Sequence, residues 1–271
     1  MTNSVNTNSG ALVALQSLNR TNSELDKVQK RVTTGFRVND AVDDGAVFAV
    51  AQSLRGDIGA LGAVNSQLTI AQGAVTVFST AATNISNTLN KARETLVKLA
   101  DENLTTDQRT KYNNDFSALA GEVSNYLANA KFNGRNLLNG SQSQLAVIAN
   151  SDGTQYTIEG ISLATVTSSA FAAVGTAASA AALLSGAFRS AETEVGNVLN
   201  SFGSDTRRLK AQFDFNKTVS DALTTSLGAI VDADLAKESA NLQALQIKQQ
   251  LGAQTLGIAN QAPQVLASLF R

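Results

Sequence analysis

Apolar residues recur every seven positions between residues 44 and 99, in two registers that lie three residues apart. This is the a/d pattern of a helix that packs along a partner helix. The first register consists of Leu61, Leu68, Val75, Ala82, Leu89 and Leu96, and the second of Val64, Ala71, Phe78, Ile85, Ala92 and Leu99. The pattern predicts one long helix over residues 44–99 that needs a second helix along its seam.

The second half of the chain supplies a matching helix. Its seven-residue register consists of Val195, Phe202, Leu209, Asn216, Leu223 and Ile230, with Leu199, Phe213 and Leu227 on the same face. Asn216 is the polar member, and a polar seam residue can fix the register of two helices. We therefore predict a mainly α fold, a long coiled-coil rod in which the N- and C-terminal halves of the chain pair antiparallel.

A shorter third helix is predicted over residues 106–131, where Thr106 and Asp107 suit the N-cap. Its apolar residues at helical spacing are Phe116, Leu119, Val123 and Leu127. These four side chains form one face, which indicates that this helix packs against the rod.

The middle of the chain has a different composition. Only two residues between positions 136 and 188 are charged, and Ser, Thr, Gly and Ala dominate. Turn signals occur at Asn133-Gly134 and at Asp152-Gly153, and the second separates two segments of β propensity, residues 144–149 and 154–159. This spacing predicts a hairpin with a two-residue type I′ turn. We expect a small, surface-exposed β-hairpin insertion over residues 141–186, in which the alanine-rich stretch 170–187 fits either a helix or a loop.

Both ends of the chain are apolar and helical in pattern, yet no side chain in residues 1–19 or 249–270 is charged. The apolar positions are Leu12, Leu15, Leu18, Leu25, Val28 and Val32 at one end, and Leu242, Leu245, Leu251, Leu256, Ile258 and Val265 at the other. A helix that is apolar on more than one side needs partners around it. We expect both ends to be poorly ordered alone and to fold together on assembly, as in the subunit of a polymer.

Composition removes most enzyme classes. The 271 residues include no His and no Cys, which excludes Ser-His-Asp and Cys-His nucleophile pairs and any imidazole or thiolate metal site. The formal net charge of -1 gives no electrostatic reason to expect nucleic acid or an anionic membrane as a partner. Asp43 and Asp44 are interpreted as helix caps rather than metal ligands. We expect no catalysis, no metal and no cofactor.

Five segments carry a recognisable combination of motifs: residues 5–8, 32–44, 91–96, 132–134 and 259–266. Together they resemble the signatures of bacterial flagellin at both ends and on both rods. The matching residues are Asn6, Asn8, Gly35, Arg37, Asn39, Asp43, Asp44, Arg93, Asn133, Gly134, Asn260, Gln261 and Pro263. The resemblance covers nearly the whole chain outside its middle.

The resemblance implies a structural subunit that polymerises with itself into the flagellar filament for swimming. Residues 1–43 and 233–271 would form the inner tube, residues 44–140 and 187–232 the outer tube, and residues 141–186 a short projection. It also implies an export chaperone, a type III export gate, a filament cap and a junction protein at the base. The expected location is extracellular, without a cleavable signal peptide, since the first residues lack a basic segment and an apolar run.

Two further properties follow from the resemblance. Flagellins carry sugars on outward-facing hydroxyls, and the candidate O-glycan acceptors are Thr154, Thr157, Ser162, Thr165, Thr167, Ser168 and Ser169. Ordinary β propensity and loop solvation explain the same residues. Flagellins are also ligands of an innate immune receptor around Arg93, but Lys91, Thr95 and Asp115 depart from the usual residues, so we expect weak signalling.

Two alternatives remain open at this point. A hook-filament junction protein shares terminal helices with flagellin, although the signature at residues 259–266 favours the filament. A secreted helical adhesin or membrane-active effector would use the apolar ends on lipid. Against it, the ends lack the Lys and Arg face of interfacial helices.

Overall fold

The structure is a computed structural model that describes residues 7–269, with side chains described up to residue 261. Its helices are α1 (Ser9–Thr34), α2 (Gly45–Leu99), α3 (Thr106–Asn129), α4 (Ala164–Ser169), α5 (Ala177–Ser185), α6 (Ala187–Val231) and α7 (Leu235–Leu269). Strands β1 (Gln144–Ile148) and β2 (Gln155–Glu159) form one antiparallel two-stranded sheet. The predicted mainly α fold with a small hairpin is confirmed.

The chain divides into two compact units. The terminal unit contains the described residues up to Gly56 and from Ala222 onward, and the central unit is Asp57–Asp221. Both divisions fall inside helices, α2 and α6.

The central unit is built on the antiparallel packing of α2 and α6. The rings of Phe78 and Phe202 are 6.1 Å apart, and further along α2 Arg93 lies 3.2 Å from the Glu192 carboxylate. From the first contact to the second, the residue number rises on α2, from 78 to 93, and falls on α6, from 202 to 192. The two helices therefore run antiparallel. The predicted seam residues Leu61, Leu68, Val75, Phe78, Ile85, Leu89, Leu96, Phe202 and Leu209 are all buried there. Leu223 and Ile230, in the terminal unit, are half-buried.

Helix α3 begins at Thr106 as predicted, but its N-cap is the preceding residue, Thr105. Thr105 Oγ1 accepts from the Gln108 N–H at 3.3 Å, and the Gln108 side chain accepts from the Thr105 N–H at 3.0 Å. This reciprocal capping box needs a Gln or Glu three residues after the cap, which Thr105 has. The N-cap prediction at Thr106 and Asp107 was therefore wrong. Phe116, Val123 and Leu127 are buried as expected, and Leu119 is half-buried.

The hairpin forms where predicted, but its turn does not have the predicted type. Ala149 N–H donates to the Thr154 carbonyl at 2.7 Å, which leaves four residues, 150–153, in the loop. A type I′ turn at Asp152-Gly153 would need positive φ at both residues, and only Gly153 has it (φ 81°). The Asn150 side chain accepts from Thr154 N–H at 3.0 Å and holds the longer loop instead.

The type I′ geometry occurs at the other turn signal. Asn133 and Gly134 both have positive φ, 49° and 76°. The flanking residues Phe132 and Arg135 exchange two backbone hydrogen bonds of 2.9 and 3.0 Å. This tight turn reverses the chain between α3 and the buried Asn136-Leu137-Leu138 segment.

We expect Gly134→Ala to lower the free energy of unfolding by about 1–2 kcal/mol, because an L side chain in the left-handed region crowds its own backbone. The loss reports backbone strain alone and no steric clash, since a Cβ at Gly134 meets nothing within 4 Å. The control is Gly121→Ala in the middle of α3, where a Cβ also meets nothing. The control variant is expected to gain about 0.5–1 kcal/mol. Thermal unfolding followed by circular dichroism measures both, and equal effects would contradict this account of the turn.

Residues 141–186 are exposed on one side only. Their buried side chains are Val147, Tyr156, Ile158, Leu163, Val166, Ala170, Val174, Ala180 and Leu183. Phe171 contacts Phe116 of α3 (ring centroids 5.0 Å apart) and meets Phe188 of α6 edge-on at 6.2 Å. The segment therefore closes one side of the hydrophobic core of the central unit. The alanine-rich stretch contains helix α5, which begins at a capping box formed by Thr176 and Ser179.

Candidate assembly surfaces

Helices α1 and α7 pack against each other in the terminal unit. Val28 and Leu245 are the most buried apolar side chains between them. Gly252 permits close approach, because a Cβ there would lie 3.2 Å from Leu18 Cδ1. The polar contacts across the pair are Arg31 Nη1 to Glu238 Oε1 (3.3 Å), Gln249 Nε2 to Asn22 Oδ1 (2.8 Å) and Asn8 Nδ2 to the Ala259 carbonyl (2.7 Å). Their order shows that the two helices run antiparallel.

The predicted assembly residues separate into an inner seam and an outer surface. Leu18, Leu25, Val32, Leu242 and Leu256 are half-buried beside Val28 and Leu245. The side chain of Val265 lies outside the described residues. Several large apolar side chains remain exposed, and we call them the terminal outer surface: Leu12 (59%), Val13 (67%), Leu15 (43%), Ile247 (57%), Leu251 (55%) and Ile258 (69%).

The signature residues of the chain ends flank this surface. Asn8 caps α1 by accepting from Ala11 N–H at 3.0 Å. Asn260 and Asn8 lie on opposite walls of a groove that also includes Leu12 and Leu256, and Gln261 is exposed. Asn6 and the side chain of Pro263 fall outside the described residues.

The remaining terminal signature residues join two loops, one before α2 and one before α7. Gly35 ends α1 in the left-handed conformation (φ 75°), and its carbonyl accepts from Ala233 N–H at 2.9 Å. Arg37 donates twice to the end of α6: its N–H reaches the Val231 carbonyl at 2.7 Å, and Nη2 reaches the Ile230 carbonyl at 2.5 Å. These bonds connect α1, α6 and α7 at one point, which we call the junction.

Near the junction, two carboxylates of the loop before α2, Asp40 and Asp43, pair with Lys30 of α1. Lys30 Nζ contacts Asp40 Oδ2 at 2.5 Å and Asp43 Oδ2 at 3.1 Å. The Lys30 hydrogen bond lowers the pKa of Asp40, and the pKa of Asp43 is lowered first by the Asn39 N–H and then by Lys30. Asp44 accepts from the Ala46 and Val47 N–H groups and so caps α2. Among the described residues, no three or more Asp or Glu side chains come together in a way that could hold a metal ion.

We expect Lys30→Met to weaken the acid dependence of stability in the terminal unit. Because Asp40 and Asp43 have lowered folded-state pKa values, their stabilising contribution is present above the ordinary aspartate pKa and is lost as the pH falls through the lowered values. Lys27→Met is the control, since Lys27 forms no salt bridge among the described side chains. Thermal unfolding measured across acidic pH on the assembled polymer, where α1 is expected to be folded, tests this. The wild type should lose more stability on acidification than Lys30→Met, and parallel curves would contradict it.

In the central unit, α6 anchors the hairpin by side chains that the sequence pattern did not reveal. The Tyr156 hydroxyl donates to the Asp205 carboxylate, and the Arg208 guanidinium stacks 3.9 Å from the centre of the Tyr156 ring. Burial, reinforced by Asp205, raises the pKa of Tyr156 to about 12. Gln212 and Asn216 donate to the Ala149 carbonyl at 3.1 and 2.8 Å. Asn216, interpreted from sequence as a register residue, therefore holds the end of β1.

The sequence reasoning also missed the buried polar residues Asn136 and Glu238. Asn136 donates to the Leu127 carbonyl at 2.6 Å and accepts from Leu138 N–H at 2.8 Å, which ties the end of α3 to the chain after the tight turn. Glu238 is buried in the first turn of α7 and pairs with Arg31. Asn136 could have been suspected from its position beside Leu137-Leu138. No local signal marks Glu238.

The candidate O-glycan acceptors differ in accessibility. Thr157 and Thr167 are half-buried. The hydroxyls of Thr165, Ser168 and Ser169 are engaged, the first by Glu194 and the other two by the Thr165 carbonyl. Thr154 and Ser162 are exposed, and within the described part of the chain neither hydroxyl donates a hydrogen bond.

None of the helices in the described part of the chain is both long and apolar enough to cross a membrane.

Comparisons with known proteins cover both ends of the chain. The bacterial flagellin N-terminal helical region matches residues 5–143, and the bacterial flagellin C-terminal helical region matches residues 186–270. Flagellins FljM and FljK of Caulobacter vibrioides are each 40% identical over 99% of this chain and 99% of their own length. A Brucella melitensis flagellin is 32% identical over the same shares. The crystal structure of Bacillus cereus flagellin, at 17% identity, aligns with a TM-score of 0.52 over 55% of this chain and 88% of that chain.

Proposed function

Because the chain belongs to the bacterial flagellin family, we propose that α1 and α7 form the inner tube of a filament and complete their folding only on assembly. Family membership makes the chain a structural subunit of the flagellar filament, a homopolymer outside the cell. The observation that carries the proposal is the terminal outer surface, six large exposed apolar side chains on helices that already pack together. The junction-protein and adhesin alternatives are not favoured by these relatives.

The energetics support assembly-coupled folding. Ordering a residue of the chain is opposed by about 1–2 kcal/mol of backbone entropy. In a single copy, the α1–α7 seam buries few apolar side chains to offset that loss, with Val28 and Leu245 the best buried. Burial of a large apolar side chain contributes about 1.5–3 kcal/mol. Neighbouring subunits that cover the terminal outer surface therefore supply the apolar burial that a single copy lacks. When such a contact is repeated by a screw rotation, it produces an open helical fibre.

The same reasoning supports the division into tubes. We propose residues 1–43 and 233–271 for the inner tube, residues 44–140 and 187–232 for the outer tube, and residues 141–186 as the outermost part. The central unit has its own core, which suits a part that folds before assembly. The terminal unit exposes its apolar side chains, which suits a part that folds during assembly.

Export and assembly partners are also proposed. We assign α7 to an export chaperone, since Ile247, Leu251 and Ile258 are exposed apolar side chains on it and residues 249–261 carry no charge. We further propose three partners on the basis of the family relationship: a type III export gate, a filament cap and a junction protein at the filament base. Terminal segments without charged side chains, residues 1–19 and 249–270, suit passage of the unfolded chain through a narrow channel.

Among the hydroxyl residues we propose Thr154 and Ser162 as the O-glycan acceptors. Both are exposed, and their hydroxyls donate to no described group, unlike those of Thr165, Ser168 and Ser169. Intact-mass measurement of native filaments tests this. A sugar increment that disappears in Thr154→Ala or Ser162→Ala supports it, whereas an unmodified mass or an increment kept in both variants contradicts it.

Seeded growth tests the assembly proposal. Purified full-length chain and a variant lacking residues 1–19 are mixed with sheared filament fragments, and growth is followed by negative-stain microscopy and circular dichroism. Full-length chain should extend the fragments with a rise in helix content. The variant should not extend them, although its central unit stays folded. Growth of the variant, or growth of the full chain with unchanged helix content, would contradict the proposal.

A further inference from the structure

The central unit has an open apolar cavity that its own core does not fill. It has a volume of about 210 Å³ and lies between α2, the tight turn at Asn133-Gly134 and strand β1. Its apolar lining includes Ile70, Ala74, Phe78, Phe132, Leu145 and Val147. Ile70 at its edge is 54% exposed. Since a cavity of about 150 Å³ can hold benzene, this one has room for a phenyl ring.

Arg135 is the one charged residue among the described residues that line the cavity. The backbone of Arg135 is fixed by its two hydrogen bonds with Phe132 across the type I′ turn. Its guanidinium forms no salt bridge among the described side chains. The cavity therefore has a mainly apolar lining and one positively charged lining residue.

The complementary feature lies on α6. Phe215 is 61% exposed, the highest exposure of any phenylalanine whose side chain is described. One turn away on α6, Ala211 and Thr218 are small and exposed, whereas Gln212 and Val219 are half-buried. Asp214, the preceding residue, is exposed and has no salt-bridge partner within the described residues.

We propose that Phe215 of one subunit inserts into this cavity of a second copy, where Asp214 of the first subunit pairs with Arg135 of the second. Size, apolar character and charge sign all match. Each copy presents both a protruding ring and a receiving cavity at different places, and such a heterologous contact propagates as an open polymer. The inference requires only that the chain polymerises. It does not depend on the folding of α1 and α7 during assembly.

The first test is the critical concentration for seeded filament growth. Phe215→Ala should raise it at least about tenfold, which corresponds to about 1.4 kcal/mol, because the variant no longer buries a phenyl ring in the cavity. Val97→Ala is the matched control: Val97 is exposed on α2 and does not line the cavity. It should leave the critical concentration unchanged. An unchanged value for Phe215→Ala would overturn the proposal and leave the cavity to another partner, such as an accessory protein.

The second test uses charge reversal. Asp214→Arg and Arg135→Asp should each raise the critical concentration by several-fold, since each places like charges together. The double variant restores an opposite-charge pair at every contact of the polymer and should recover most of the wild-type value. A double variant that grows no better than the single variants would overturn the assigned pairing. Circular dichroism of each monomer checks that the variants fold, and Phe215→Tyr, which keeps the ring, should retain most of the growth.

Discussion

Replacement of Leu12, Leu251 and Ile258 with serine should abolish seeded filament growth without lowering the thermal stability of the central unit. All three side chains are more than half exposed, and surface substitutions of this kind usually change stability by no more than about 0.5 kcal/mol each. In the filament each should be buried by a neighbouring subunit, with a contribution of about 1.5–3 kcal/mol. Loss of all three contributions should raise the critical concentration by about a thousandfold or more. Pelleting and negative-stain microscopy measure the effect.

The matched control replaces three exposed valines on α2, Val50, Val77 and Val97, with serine. The control loses a comparable number of exposed apolar side chains but leaves the terminal outer surface intact. It should extend filament fragments at close to the wild-type rate. If both triple variants fail equally, the terminal outer surface has no special part in assembly.

The second large effect concerns the core of the central unit. Phe202→Ala should lower the free energy of unfolding by about 3–5 kcal/mol, because Phe202 is fully buried and packs against Phe78 with ring centroids 6.1 Å apart. Truncation removes apolar contact and leaves a cavity that the two long helices cannot close. Urea unfolding followed by circular dichroism measures the loss.

Phe215→Ala, on the same helix, is the matched comparison. It removes the same atoms from an exposed position, and the free energy of unfolding should change by no more than about 0.5 kcal/mol. Equal destabilisation by the two variants would contradict the assignment of one ring to the core and the other to the surface.

The α2–α6 seam could be predicted because a seven-residue apolar period is a local signal that persists over many turns. The register also identified the residues that become buried, from Leu61 to Leu96 on α2. Leu223 and Ile230 continue the same period but are only half-buried. Periodicity defines the face of a helix, whereas the degree of burial depends on what packs against that face.

Turn type was harder to predict. Asn-Gly and Asp-Gly both suit a type I′ turn, yet only Asn133-Gly134 adopts one. At the hairpin, the Ala149 carbonyl is held by Gln212 and Asn216, which lie 63 and 67 residues away in the chain. A contact so distant in sequence fixes where the strands end, and no local pattern contains it. The same holds for the Arg31–Glu238 pair, 207 residues apart.

The ends of the chain were predicted in character but not in detail. The uncharged, apolar helical pattern indicated that both ends need partners, and α1 and α7 do pack together. Which side chains face inward, such as Val28 and Leu245, and which face outward, such as Leu12 and Ile258, is set by the register between the two helices. The alanine-rich stretch at residues 170–187 was ambiguous because alanine creates no contrast between apolar and polar faces.

Hydrogen–deuterium exchange of monomer and filament, resolved by peptide, tests the central claim most directly. We predict that amides of α1 and α7 exchange rapidly in the monomer and become strongly protected in the filament. Amides in the α2 segment 64–99 should be protected in both states, since its seam residues belong to the core of the central unit. If α1 and α7 are as well protected in the monomer as in the filament, the terminal helices are folded before assembly and the account is contradicted.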